Sequence, residues 1–248
     1  MGVERLAEVL RESGSCVVLT GAGVSTESGI PDFRSPTGIW AQYDPMEYAT
    51  IDAFLADPVK VWDFYGRRLG MLRDAQPNDG HRALADLERR GWVDAVVTQN
   101  IDLLHERAGS RALVEVHGSI RTSSCLDCGE VVPLAEVLRL LETAAAPACP
   151  RCGRILKPDV VMFGELLPPR AMERASALAA SARLLLVVGS SLEVYPVAGL
   201  PLETLAAGGS LAIVNRGPTP LDARASVTID AAAGETLRAL AAALPERG

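Results

Sequence analysis

Short apolar runs recur along the chain, and each ends in small or polar residues. Residues 16–19 (CVVL) lead into Thr20-Gly21-Ala22-Gly23, residues 93–97 into Thr98-Gln99-Asn100-Ile101-Asp102, and residues 113–116 into His117-Gly118-Ser119. Residues 184–188 lead into Gly189-Ser190-Ser191, and residues 211–214 into Asn215-Arg216-Gly217. Continuous runs of Val, Leu and Ile suit strands buried on both faces, as in parallel sheets. Between them lie stretches of helical periodicity at 79–90, 170–182 and 197–207. The alternation predicts an α/β fold with a doubly wound, Rossmann-like parallel sheet. Ligands of such sheets bind beyond the carboxyl ends of the strands, and all five polar clusters fall there. Turn chemistry explains Gly and Ser at strand ends. It accounts poorly for His, Asn, Gln and Asp gathered on one rim, which predicts a shared active-site edge.

Two stretches interrupt this alternation. Residues 36–78 are rich in aromatic residues and helical signals, and predict a helical cover over the ligand. Residues 121–156 carry most of the cysteines and no long buried strand, and predict an inserted metal module. Cys125-Leu-Asp-Cys128 and Cys149-Pro-Arg-Cys152 form two C-x-x-C knuckles, each followed by a glycine (Gly129, Gly153) where a tight turn needs positive φ. Four thiolates saturate tetrahedral zinc, so the expected ion is structural. A redox dithiol or an iron–sulfur site uses two paired knuckles less economically. Cys16, inside an apolar run, is expected to be a small core residue.

The 248 residues are expected to form one catalytic domain, 1–248, carrying both inserts. The formal charge of −7 argues against coating nucleic acid or an anionic membrane, since both uses favour a basic excess. The first residues, MGVERLAEVLR, lack the uninterrupted apolar core of a secretory signal, and no run approaches the roughly 18 apolar residues of a membrane span. A cytoplasmic location is therefore expected, where cysteines serve as ligands or free thiols. Of 24 basic residues only Lys60 and Lys157 are lysine.

Gly21-Ala22-Gly23-Val24-Ser25 follows the first strand. Such glycines let a backbone approach a pyrophosphate, with a helix start beyond them favouring negative charge. Thr26 stands where a third fingerprint glycine would fall, so this signal alone is weak. The longer segment 21–40, GAGVSTESGIPDFRSPTGIW, is far more specific. It resembles the NAD-dependent sirtuins, a family of protein lysine deacylases. The resemblance continues through Thr98-Gln99-Asn100-Ile101-Asp102, Val116-His117-Gly118, the four cysteines, Phe163-Gly164-Glu165, Gly189-Ser190-Ser191-Leu192-Glu193-Val194-Tyr195-Pro196 and Val214-Asn215, in the family's order and over nearly the whole chain.

The resemblance implies NAD as a consumed co-substrate and acyl-lysine proteins or peptides as partners. The acyl oxygen attacks C1′ of the nicotinamide ribose, and the products are lysine, nicotinamide and O-acyl-ADP-ribose. His117 is then the base for the ribose hydroxyls, a task suited to an imidazole titrating near neutrality. Asn100 and Asp102 position ribose, water and carboxamide. Ile101 packs on the nicotinamide and Gln99 bonds the ribose. Gly21, Ala22, Gly23, Thr26, Asp32, Phe33 and Arg34 belong to the cofactor segment, with Phe33 shielding C1′ and Arg34 on the phosphate or ribose side. Gly189, Ser190 and Ser191 bind phosphate oxygens, and Asn215 the adenosine ribose. The peptide enters between Val161, Phe163, Gly164, Glu165 and Val194, Tyr195, adding as a strand, with Val161 and Phe163 lining a tunnel for the lysine. His81 and His105 sit in helical patterns and are expected to cap or pack.

Tyr65-x-x-Arg68 matches the pair by which some sirtuins grip the carboxylate of succinyl, malonyl or glutaryl groups, and Ala49 matches the small residue that leaves room for such chains. Residues 31–34, PDFR, resemble the deacetylase members more closely. Acidic-acyl removal is therefore expected alongside deacetylation. Two other functions fit parts of the pattern: mono-ADP-ribosyl transfer from the same cofactor site, and a non-catalytic NAD or nucleic-acid sensor using the zinc ribbon.

Overall fold

The structure is a computed structural model, and its described residues are 2–247. The strands in chain order are β1 (Cys16–Thr20), β2 (Val93–Thr98), β3 (Leu113–Glu115), β4 (Gly118–Ser124), β5 (Val131–Pro133), β6 (Lys157–Val160), β7 (Leu184–Val188), β8 (Ser210–Val214) and β9 (Val227–Ile229). The helices are α1 (Gly2–Ser13), α2 (Pro45–Tyr48), α3 (Ile51–Ala56), α4 (Pro58–Asp74), α5 (Asp79–Arg89), α6 (Leu104–Ala108), α7 (Leu134–Leu141), α8 (Pro169–Ser181), α9 (Leu200–Ala206) and α10 (Ala233–Ala243).

Six strands form a parallel sheet in the order β3-β2-β1-β7-β8-β9. Every residue of β1 and β7 is buried, which is why both read as unbroken apolar runs. The pleat sends alternate residues to opposite faces. Cys16, Val18, Leu184, Leu186 and Val188 join α1, α5 and α10 in one core, while Val17, Leu19, Leu185 and Val187 join α8 and α9 in another. Ala175 and Ala179 of α8 let that helix lie close to the sheet.

The third core belongs to neither face. Phe54, Trp62, Phe64, Tyr65, Leu69 and Leu72 of the cover pack with Ile120, Val132, Val137, Leu156 and two of the cysteines. The helical cover and the cysteine-rich segment thus share one continuous apolar interior. The Trp62 indole N–H, donating to the Leu156 carbonyl at 2.6 Å, ties them at the centre.

Three features differ from the sequence reading. The cysteine-rich segment holds β4 and β5, which with β6 form an antiparallel sheet in the order β5-β4-β6, extending beyond 121–156 at both ends. β4 is rich in Ser and Thr, and β5 and β6 are only three and four residues long, so no long apolar run marks them. A sixth parallel strand, β9, joins the five apolar runs at the sheet edge; at three residues it is too short to read as a run of its own. The segment after the first glycines is a seven-residue 3₁₀ helix, Ala22–Ser28, closed by the left-handed Gly29 (φ 82°). Within it the Thr26 hydroxyl turns back to the Gly23 carbonyl at 3.0 Å.

Candidate active site

A fissure of about 1220 Å³ opens between the carboxyl rim of the parallel sheet and the smaller lobe. That exceeds the roughly 300–1,000 Å³ of a site for one small ligand. All five strand-end clusters contribute: Gly21, Ala22 and Gly23 after β1, Gln99 to Asp102 after β2, His117 after β3, Gly189 to Ser191 after β7, and Asn215 after β8. Thr26, Asp32, Phe33 and Arg34 line one part of the fissure. Ala49, Tyr65, Arg68, Val161, Phe163, Gly164, Glu165, Val194 and Tyr195 line the rest.

The glycine end is set by close backbone packing. A Cβ on Gly23 would stand 2.7 Å from the Gly189 Cα, and Gly189 itself sits at φ 61°, so both positions need glycine. Asp32 accepts from the backbone N–H of Arg34 (3.1 Å) and Ser35 (2.8 Å), which closes the loop on itself. Arg34 pairs across the mouth with Glu193 (Nε–Oε2 3.1 Å). Ser190 accepts from the Gln99 side-chain amide at 2.9 Å, and a second amide bond runs to the Thr20 carbonyl at 3.3 Å. Asn215 is held by its own turn, donating to the carbonyls of Arg216 and Gly217.

His117 leaves the end of β3 and sits within bonding distance of the Gln99 carbonyl (Nδ1···O 3.1 Å). A carbonyl only accepts, so Nδ1 carries the proton and Nε2 keeps its lone pair. Desolvation lowers the imidazole pKa below its usual 6.5, more than the Gln99 contact raises it, so the ring is neutral at pH 7. Gly118 follows at φ 69°, where a side chain would collide with the Asp159 carbonyl. The Val161 N–H donates to the His117 carbonyl at 2.9 Å, so the histidine turn and residues 161–165 are laced together.

Beneath lies a buried network that the sequence reading left unassigned. The Ser25 hydroxyl donates to Asp102 Oδ2 at 2.7 Å. Its lone pairs then face the Asn100 side-chain amide at 3.1 Å and His81 Nε2 at 3.4 Å. His81 Nδ1 accepts the Asn78 N–H in the capping box of α5, which leaves the proton on Nε2 and fits that arrangement. Burial, with the Arg82 charge second, pushes the His81 pKa down to about 4. Asp102 Oδ1 accepts the Leu104 N–H at 2.9 Å, and burial raises this carboxyl above its ordinary value. His105 is fully buried beside His81, its Nε2 3.0 Å from Thr20. His81 and His105 do cap and pack, yet His81 also reaches the Asp102 network. Asn78 caps α5 and fixes His81 in its first turn, and nothing local in the sequence ties His81 to Ser25.

Arg68 projects from α4 with its guanidinium 5.1 Å from the Phe33 ring and 5.0 Å from the Phe64 ring. Desolvation lowers its pKa, and no carboxylate pairs with it among the described residues. Tyr65, one turn earlier, is buried, and its hydroxyl is pushed up to about 12, so the phenol remains a neutral donor.

The four knuckle sulfurs, from Cys125, Cys128, Cys149 and Cys152, lie within 4.8 Å of one another. Zn–S bonds of about 2.3 Å place tetrahedral ligands roughly 3.8 Å apart, so the set fits a zinc ion. Both knuckles repeat one turn: Gly129 N–H bonds to the Cys125 carbonyl (3.0 Å) and Gly153 N–H to the Cys149 carbonyl (2.9 Å). Gly129 and Gly153 have φ of 73° and 76°. With all four positions taken by sulfur, such an ion has no open site for chemistry.

A Rossmann-like rim, a glycine-lined crevice and a four-thiolate module define an α/β nucleotide-site protein with a second, metal-stapled lobe. The Sir2 family profile matches residues 21–196. An NAD-dependent protein deacetylase of Caldivirga maquilingensis is 46% identical over 237 residues, covering 95% of this chain and 91% of the relative. An NAD-dependent protein deacylase of Thermus thermophilus is 45% identical, covering 98% and 97%. Among solved structures, a Sir2 histidine-to-alanine variant with deacetylated p53 peptide and 3′-O-acetyl-ADP-ribose superposes with a TM-score of 0.93 at 41% identity, covering 97% of both chains. The chain belongs to the Sir2 family.

Proposed function

We propose that the chain removes acyl groups from protein lysine side chains at the expense of NAD, releasing nicotinamide and O-acyl-ADP-ribose. The observation that carries this reading is His117: its Nε2 lone pair is free while Nδ1 is occupied, in the fissure that holds both the glycine crevice and the tunnel segment. Residues 1–248 work as one unit, with 36–78 covering the cofactor and 121–156 holding structural zinc. The relatives' names and the bound peptide and product of the solved neighbour agree with this chemistry.

NAD lies with its pyrophosphate along Gly21, Ala22, Gly23 and Thr26, and with Gly189, Ser190 and Ser191 on the phosphate oxygens. Asn215 holds the adenosine ribose, and Asp32 and Arg34 close the loop beside it. Phe33 covers the reacting carbon and excludes water. Asn100 and Asp102, braced by Ser25, orient the ribose and carboxamide, Ile101 packs on the ring that leaves, and Gln99 faces the ribose. His117 Nε2 takes a proton from a ribose hydroxyl, with the Gln99 carbonyl steadying the imidazolium that results. Val161 and Phe163 form an apolar sleeve that accepts a neutral acyl-lysine and disfavours a bare ammonium, which would lose its hydration. Gly164 and Glu165 on one side and Val194 and Tyr195 on the other receive the peptide main chain.

The same site takes acetyl groups and acidic acyl groups. Support for the second is Arg68, a desolvated cation without an acidic partner, beside the neutral donor Tyr65 and the small Ala49. A carboxylate at the acyl terminus supplies the missing charge. The described residues contain no helix long and apolar enough to cross a membrane, and the protein works in the cytoplasm on protein substrates rather than on nucleic acid or lipid. Mass spectrometry of acetyl-, succinyl- and malonyl-lysine peptides, incubated with and without NAD, tests the assignment. NAD-dependent loss of the acyl mass with O-acyl-ADP-ribose formation is expected. ADP-ribose attached to protein would establish transfer instead, and NAD binding without nicotinamide release would leave only a sensor.

A further inference from the structure

One of the two lysines of the chain lies inside the smaller lobe, immediately before the tunnel segment. Lys157 has a side chain only 8% exposed, and its Nζ sits 2.9 Å from Glu165 Oε2. It also donates to the carbonyls of Pro158 (3.1 Å) and Val160 (2.9 Å). An ammonium has three protons, and here each has an acceptor. Glu165 Oε2 in turn accepts the Met162 N–H at 2.8 Å, and the Glu165 N–H donates to the Met162 carbonyl at 3.0 Å. The ion pair therefore spans the whole turn from Val160 to Glu165.

The other side of the turn is fixed as well. The Phe163 N–H donates to the Ala49 carbonyl (2.8 Å), and the Phe163 carbonyl accepts from the Ile51 N–H (3.0 Å). Met162 and Phe163 thus have their backbone groups committed within the protein. Gly164, exposed at φ 89°, follows them and lines the fissure. A segment of this length without a neighbouring strand is ordinarily mobile, and ordering it on peptide arrival costs affinity.

Resting on the deacylase reading, we propose that Lys157 is a positioning residue that holds residues 160–165 as a preformed edge for the incoming acyl-peptide, acting through Glu165. It touches neither substrate nor cofactor. It sets the turn before the peptide arrives, so its contribution falls on peptide affinity and leaves the NAD end of the fissure unaffected. Buried ion pairs also make the turn sensitive to loss of one partner, because the remaining charge is left unmatched.

The test uses Lys157→Met and Glu165→Gln in the full-length protein. A fluorescent acetyl-lysine peptide reports peptide Kd by anisotropy, calorimetry reports NAD affinity, and steady-state turnover reports kcat. Lys157→Met is expected to weaken peptide binding roughly 10- to 100-fold, as losing a charge-assisted bond does. NAD affinity and kcat at saturating peptide stay near the wild-type values. Glu165→Gln keeps an acceptor for Met162 and loses less, and the double variant is no worse than Lys157→Met alone, since neither charge is then orphaned. If Lys157→Met does not fold, Lys157→Gln, which keeps N–H donors for the Pro158 and Val160 carbonyls and deletes the charge, decides by its peptide Kd against its NAD affinity. Unchanged peptide Kd in the folded variants overturns the proposal, as does an equal loss of peptide and NAD affinity. A wild-type protein that binds no acyl-peptide overturns the deacylase reading on which it rests.

Discussion

Replacing Arg68 by Met keeps the length of the side chain and its contact with the rings of Phe33 and Phe64 while deleting the charge. In the free protein the guanidinium is desolvated between those rings, which lie 5.1 and 5.0 Å from it, and it has no acidic partner among the described residues. A charge-assisted bond to a substrate carboxylate is worth about 1.5–3 kcal/mol, so its removal lowers kcat/KM for a succinyl-peptide by roughly 10- to 100-fold. An acetyl group offers no carboxylate, and kcat/KM for the acetyl-peptide should change by less than about 3-fold. The free protein gives a second sign. Removing an unpaired, desolvated cation relieves a cost, so the melting temperature is expected to hold or rise. The assay compares succinyl- and acetyl-peptides of one sequence on wild type and variant, with thermal melts alongside. Equal losses on both peptides would refute the carboxylate-grip reasoning, whatever the melt shows.

Other consequences concern protons and metal. Because desolvation holds the His117 pKa below 6.5 and the base must be neutral, kcat/KM should rise with pH to a plateau, with the acid limb centred below 6.5; a midpoint above that value contradicts the assignment. His81 titrates near 4 when folded and near 6.5 when unfolded, so the unfolded chain binds the extra proton first as pH falls. Its contribution is intact above pH 6.5 and is lost progressively down to about 4, about 3 kcal/mol in all. Denaturant unfolding across that range should show the loss, and a slope unchanged in His81→Gln would oppose it. Cys128→Ser should lower bound zinc and the melting temperature together, by about 4–8 °C for each ~2 kcal/mol lost in a chain of this size. Acyl-peptide turnover should fall with them, since the cysteines share a core with the cover helices; full activity in metal-depleted protein would contradict that coupling.

The central strands were legible because burial on both faces turns β1 and β7 into unbroken apolar runs, and because their polar ends must be a rim if the sheet is parallel. The knuckles were legible because ligand spacing is local. Long-range polar pairing was not. Ser25 meets His81 and Asp102 through the packing of α5 and the segment after β2, and no window of sequence contains all three. Arg34 was expected on the phosphate or ribose side, and here it reaches Glu193, 159 residues along the chain. Lys157 has no flanking pattern, since its partners are three carbonyl or carboxylate oxygens placed by a turn. The merging of cover and cysteine segment into one interior has no local signature for a similar reason: Trp62 and Leu156 are joined by tertiary contact alone.

The most direct measurement follows nicotinamide and O-acyl-ADP-ribose formation from NAD and an acyl-lysine peptide in wild-type protein and in His117→Ala. The wild type should yield one O-acyl-ADP-ribose per peptide deacylated. The folded, NAD-binding variant should turn over roughly 10²- to 10⁴-fold more slowly, the usual loss with a general base. Equal rates in the two proteins would contradict the account.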